Sequence, residues 1–199
     1  MSDAKTKRML THEHILPMSE YAGVRRERRR AISELKKRRR VEVGPFATFY
    51  FENYETMWQQ VHEMLYVEKG GEDQIADELA AFNPLIPQGH DLVATVMLEI
   101  EDPMRRATVL ARLGGIENHI FLEVDGERIA GSPDAARENT SADGKASSVQ
   151  FVWFAFTPPQ IARFRAPGTR VVVGFDHLNY AHMAVMPEPV RAALSEDFD

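Results

Sequence analysis

Helical and strand patterns alternate irregularly along this chain, and that irregularity constrains the fold more than any other feature. Tyr54, Met57, Trp58, Val61 and Leu65 fall at i, i+3, i+4, i+7 and i+11, an apolar stripe for a helix capped by Asn53 and running to about Lys69. Another helix is expected over about 73–82, ended by Asn83-Pro84. Residues 92–100 read as a strand with Ala94, Val96, Leu98 and Ile100 on one face. Asp102-Pro103 opens a helix whose inner face is read as Met104, Ala107, Leu110 and Ala111. Asp125-Gly126 joins two strand-like runs, a strong two-residue hairpin signal. Residues 149–156 and 170–175 read as buried strands, and 41–43 and 46–51 as short strands around Gly44-Pro45. Without a regular βα repeat, the pattern predicts a single α+β domain, a largely antiparallel sheet with several packed helices. A chain of 199 residues buries roughly 70% of the surface its unfolded form exposes, enough for one core without staples.

Charge is distributed unevenly. Residues 25–40 (RRERRRAISELKKRRR) hold ten of the 24 basic residues and two acids, Glu27 and Glu34. That window carries +8 against −6 for the whole chain, leaving −14 on the remainder. It falls on a predicted N-terminal basic helix over about 19–39, with Tyr21, Val24, Ile32 and Leu35 on a stripe that Arg28 interrupts. Three readings follow: a nucleic-acid footprint, a dock for an acidic partner, or an arm across the protein's own acidic body. Residues 1–9 read as a flexible tail and 131–147, rich in Gly, Ser, Ala and Asp, as a mobile loop. The absence of cysteine excludes disulfides, a thiolate nucleophile and Cys-ligated metal within this chain. No apolar run reaches the ~18–20 residues of a membrane helix. The expectation is a soluble cytoplasmic protein without membrane insertion.

Six separated motifs are familiar: Thr11-His-Glu-His-Ile-Leu-Pro17, Arg39-Arg40-Val41 before Gly44-Pro45, and Phe51-Glu-Asn53 with Glu55-Thr56. The others are Phe82-Asn-Pro-Leu-Ile-Pro87, Arg112-Leu-x-Gly-Ile116 and His177-Leu-Asn-Tyr180. In this order, over nearly the whole chain, they resemble a bacterial family catalogued as a domain of unknown function, number 3501. Leu178 stands where the family pattern has proline, which makes that turn less rigid. The resemblance implies no established activity, but it does imply a setting. In the family it resembles, such genes often lie beside those for rubrerythrin-like diiron proteins and cysteine-rich iron–sulfur oxidoreductases, so an accessory role in peroxide defence or electron transfer is expected.

Three constellations are candidates for function. On the polar edge of the second helix, Glu52, Glu55, Gln59, His62 and Glu63 could share a divalent metal such as iron with another segment, or form a solvated acidic face. After a buried strand, Asp176-His177-Leu-Asn179-Tyr180-Ala-His182 offers His177 as ligand or acid–base group, with Asn179 and Tyr180 as binding residues. The metal expectation joins His62, Glu63, His177 and His182. Third, Arg28, Arg29, Arg38 and Arg39 on the basic helix suit anion or partner binding, because the guanidinium fork pairs with carboxylate and phosphate. No aromatic is interleaved with these charges, which weakens nucleic-acid stacking. The leading expectation is therefore an accessory binding protein of an iron-dependent redox system. A nucleic-acid-binding regulator, or an enzyme on an anionic small molecule using His177, are the alternatives.

Overall fold

A computed structural model describes residues 8–199. The chain opens with α1 (Met18–Lys37), then β1 (Arg40–Val43), β2 (Ala47–Phe51), α2 (Tyr54–Glu68) and α3 (Glu72–Phe82). There follow β3 (Asp91–Leu98), α4 (Pro103–Leu110), β4 (Ile120–Val124), β5 (Glu127–Ala130) and β6 (Ser132–Pro133). The last elements are β7 (Val149–Ala155), α5 (Pro158–Arg165), β8 (Val171–Phe175), β9 (Met183–Val185) and α6 (Glu188–Leu194). Two sheets form, ordered β1-β2-β3-β7-β6 and β5-β4-β8-β9, with every pairing antiparallel. The fold is thus a single α+β domain, but the strands divide into two sheets rather than one.

Strand alternation builds the layers. Phe49 and Phe51 of β2, Ala94 and Val96 of β3, and Phe154 of β7 project from one face of the first sheet onto Leu122, Val173 and Phe175 of the second. Each fully buried Val, Leu or Phe among them contributes about 1.5–3 kcal/mol relative to an exposed one. The opposite face of the first sheet, including Val93, Phe151 and Trp153, packs under Tyr21 of α1 and Tyr54, Met57, Trp58, Val61 and Leu65 of α2. The expected α2 stripe is therefore the inner face of a helical layer. Asn53 caps α2 by accepting from the Thr56 amide at 3.1 Å. The Asp125-Gly126 turn has φ of 48° and 85°, the paired left-handed geometry that matches the twist of a two-residue hairpin.

Several boundaries differ from expectation, each for a local reason. In α4 only Leu110 is buried, while Met104 is 82% exposed, because this two-turn helix meets the core only at its C-terminal end. Of the expected tail, residues 1–7 lie outside the described residues. Arg8 is held, its Nη1 donating to the carbonyls of Pro87 at 3.0 Å and Asp197 at 2.7 Å. The expected loop at 131–147 is bonded to the body: β6 pairs with β7, Ala146 is buried, and Gln150 Nε2 donates to the Asn139 carbonyl at 3.0 Å. The basic helix starts at Met18 after Pro17 and ends at Lys37, with Arg38 as its C-cap. Arg39 therefore lies in the turn before β1, which changes its role.

Candidate functional site

The basic segment splits into residues that hold the fold and residues that face solvent. Arg39 is 3% exposed. Its Nε donates to the Phe51 carbonyl at 2.9 Å and its Nη2 to the Glu52 carbonyl at 3.0 Å, while the guanidinium also pairs with buried Asp197. It was expected to bind a partner; instead it ties the end of β2 to the chain's C-terminus. Arg28 explains the interrupted stripe: its guanidinium lies 4.6 Å over the Trp58 ring and 3.7 Å from Glu55. Arg25 clasps Glu63 with two bonds of 2.8 Å. Lys37 pairs with Glu34, and Arg40 lies 3.7 Å from Glu42. Arg26, Arg29, Arg30, Lys36 and Arg38 form no ion pair among the described residues. Arg25, Arg28 and Arg39 thus dock on the acidic body, Lys37 and Arg40 pair with near neighbours in sequence, and the other five form no ion pair among the described residues.

The four residues expected to share a metal are not brought together. His62 is fully buried in the helical layer, its ring 3.7 Å from that of Trp58. Its Nδ1 donates to the Trp58 carbonyl at 2.7 Å and its Nε2 accepts from the Leu16 amide at 3.0 Å, so both nitrogens are committed. Burial pushes its pKa down, holding the neutral ring. Glu63 is spent on Arg25 and on the Tyr21 hydroxyl at 2.6 Å, and the Arg25 guanidinium holds its carboxyl below the usual range. His177 and His182 lie around the β8–β9 turn of the second sheet. His177 Nε2 donates to the Gly114 carbonyl at 3.2 Å, and its Nδ1 accepts from the Asn179 amide at 3.2 Å. Among the described residues no group of three or more His, Asp or Glu side chains is arranged to hold a metal ion. With both nitrogens of His62 and His177 already bonded, this donor set does not fit one.

The residues around His177 are a latch. Asn179 Nδ2 donates to the Arg112 carbonyl at 2.8 Å, and the Tyr180 hydroxyl donates to the Val43 carbonyl at 2.6 Å. That hydroxyl also accepts from the amides of Phe46 at 3.3 Å and Ala47 at 3.1 Å, so it closes the β1–β2 turn. Gly44 permits this approach: a Cβ there would stand 2.7 Å from the Tyr180 hydroxyl and from His182 Cγ, and its φ is +69°. Tyr180→Phe leaves these backbone groups without their partner. It is expected to cost about 1–3 kcal/mol in urea unfolding, and an unchanged midpoint would refute that role.

One feature resembling a ligand site lies between α1, α2 and the first sheet, where two cavities adjoin. The outer one, of about 430 Å³, is lined by Arg29, Lys36, Lys37 and Arg40 together with Glu63, Tyr50 and Gln60. The inner one, of about 370 Å³, shares Lys36, Tyr50 and Gln60 with it and is otherwise largely apolar. The floor follows from register. Tyr50 stands opposite Thr95 and Thr95 opposite Phe151, so this row faces the helices and not the sandwich. Glu52 continues that face. It is 5% exposed, its Oε1 accepts from Thr95 Oγ1 at 2.7 Å, and its Oε2 has no partner. The sequence reading placed Glu52 on the polar edge of α2. The signal that would have moved it was the alternation Thr48, Tyr50, Glu52 along β2, opposite in face to Phe49 and Phe51.

The fold and cleft define a single-domain α+β protein with a helical layer over two antiparallel sheets. The chain belongs to the family described as "Protein of unknown function (DUF3501)", whose model matches residues 9–198. It is also similar to a crystal structure described as a novel protein of unknown function from Burkholderia pseudomallei K96243. The two are 37% identical with a TM-score of 0.89, over 96% of this chain and 100% of that one. No curated protein matches. No helix among the described residues is long and apolar enough to cross a membrane.

Proposed function

We propose that this protein is a binding module that docks an acidic partner on the exposed flank of α1. The observation supporting this is that Arg26, Arg30 and Arg38 form no ion pair among the described residues, on an otherwise acidic chain. Unpaired surface arginines steer and orient an oppositely charged protein at little cost in stability. The family resemblance supplies the partners to try: a rubrerythrin-like diiron protein and a cysteine-rich iron–sulfur oxidoreductase from the same genome, where the module would act as a redox accessory. The nucleic-acid alternative has less support, because the single aromatic of α1, Tyr21, is buried and leaves no stacking platform. The alternative with His177 as acid or base has less still, because both ring nitrogens bond to backbone.

The test is biolayer interferometry of the full chain against both redox proteins and a DNA duplex, at low and high salt. The expected result is a complex with one redox protein that weakens with salt and loses at least about tenfold in affinity when Arg26, Arg30 and Arg38 become Glu. Equal binding by that variant, or retention of the duplex alone, overturns the proposal.

A further inference from the structure

The cleft under α1 carries a second inference, independent of the outward arginines. Its inner cavity holds a carboxylate that the described residues satisfy at one oxygen only. Buried Asp197 is matched to Arg39, and buried Asp91 and Glu117 accept from Gln88 and Thr140, whereas Glu52 has no cation within ion-pair distance among the described residues and its Oε2 is without any hydrogen bond. An unsatisfied buried acceptor costs about 1–3 kcal/mol, and more when charged, so a donor arriving from outside recovers that loss. The position is imposed by the backbone. Arg39 holds the Phe51 and Glu52 carbonyls, and strand alternation then turns the Glu52 side chain away from the sandwich.

Around Glu52 the walls are apolar and partly aromatic, with Met57 of α2, Phe82 at the end of α3, and Phe151 of β7. A volume of about 370 Å³ lies within the range of small-molecule sites and suits a flat ring between aromatic side chains. The adjoining outer cavity is lined by Arg29, Lys36, Lys37 and Arg40 and by Glu63, which Arg25 already pairs, so its surplus of positive charge repels a cation and attracts an anion. A simple ammonium ligand for Glu52 is therefore disfavoured, whereas an anion carrying a neutral donor satisfies both ends. We propose that this cleft binds a small anionic molecule with a flat ring bearing an N–H group. Its anion lies among Arg29, Lys36 and Arg40, its ring against Met57, Phe82 and Phe151, and its N–H donates to Glu52 Oε2.

Two probes isolate the donor. Indole-3-acetate has the carboxylate, the flat ring and the N–H; 1-naphthaleneacetate has the first two and lacks the third. In calorimetric titration of the full chain, indole-3-acetate should bind at least about tenfold more tightly, the worth of one buried hydrogen bond to a carboxylate. In Glu52→Met, which keeps volume and removes the acceptor, the two probes should bind equally. Lys36→Met should weaken both several-fold. Phe82→Trp, which fills the cavity, should abolish both and serves as the independent variant if Glu52→Met does not fold. Absence of indole-3-acetate binding at millimolar concentration would mean a chamber satisfied by water and would overturn the site. Equal affinity of the probes for the native chain, a preference that survives in Glu52→Met, or tighter binding in Lys36→Met would do so as well. None of these variants touches Arg26, Arg30 or Arg38, so failure here is distinguishable from failure of partner docking.

Discussion

Arg39→Met is expected to lower the stability of the protein by about 3–5 kcal/mol, the usual consequence of removing one partner from a buried ion pair. At this chain length that corresponds to a fall in Tm of roughly 10 °C. Three losses act together. Asp197, whose carboxyl pKa is already pushed up by burial, loses its ion-pair partner and keeps only Arg8 nearby, and the carbonyls of Phe51 and Glu52 lose their donors. Arg26→Ala and Arg29→Ala, only a few residues away in sequence, should fall within about 0.5 kcal/mol of the native chain, since both side chains are exposed and unpaired. The double variant Arg39→Met/Asp197→Leu should recover much of the loss, because a hydrophobic pair of similar volume avoids the desolvation cost. Thermal melts followed by circular dichroism decide it. A single variant melting with the native protein would return Arg39 to the surface arginines.

His62→Ala should cost about 3 kcal/mol, from the emptied volume together with the stranded Leu16 amide. It should also loosen the 11–17 segment, which rests on α2 through this ring and through Trp58 Nε1 donating to the His14 carbonyl at 2.9 Å. The same residue sets an acid limit. Its folded pKa is depressed by burial below the ordinary value of 6.5, so under mild acid the unfolded chain binds a proton that the folded chain refuses. Its contribution is therefore complete above that value and is lost as the pH falls toward the lowered one. The slope from this single group is at most about 1.4 kcal/mol per pH unit. Urea midpoints measured downward from neutral pH should fall less steeply in His62→Gln than in the native chain. Parallel curves would show that His62 is not the group responsible.

The family motifs acquire a common meaning once their contacts are known. Asn83, from Phe82-Asn-Pro, bonds both the amide and the carbonyl of Leu10, at 2.7 and 2.9 Å, beside the Thr11–Pro17 motif. His177 and Asn179 hold the Arg112–Ile116 segment, and Tyr180 holds the turn at Gly44-Pro45. Arg39 holds Phe51-Glu52. Motifs distant in sequence meet as pairs, each joining a polar side chain to backbone groups of another segment. Their histidines and arginines resemble chemistry in a linear reading because the residue types used for latches are those used for catalysis and ligation. Only the partner atoms separate the two.

Local rules were sufficient where structure depends on neighbours in sequence. The α2 stripe, its Asn53 cap, the Asp102-Pro103 helix start and the Asp125-Gly126 hairpin are all legible, since periodicity, capping and turn geometry act over a few residues. The uneven charge is equally plain, and it marks α1 before any coordinates. Which arginines are free, which histidines are bonded, that the strands divide into two sheets, and that Glu52 is left with an empty acceptor all depend on long-range register. Pairing Tyr50 with Thr95 and Thr95 with Phe151 sets which side chains face the helices. A shift of one residue would exchange the two faces, and only the packed core selects between them.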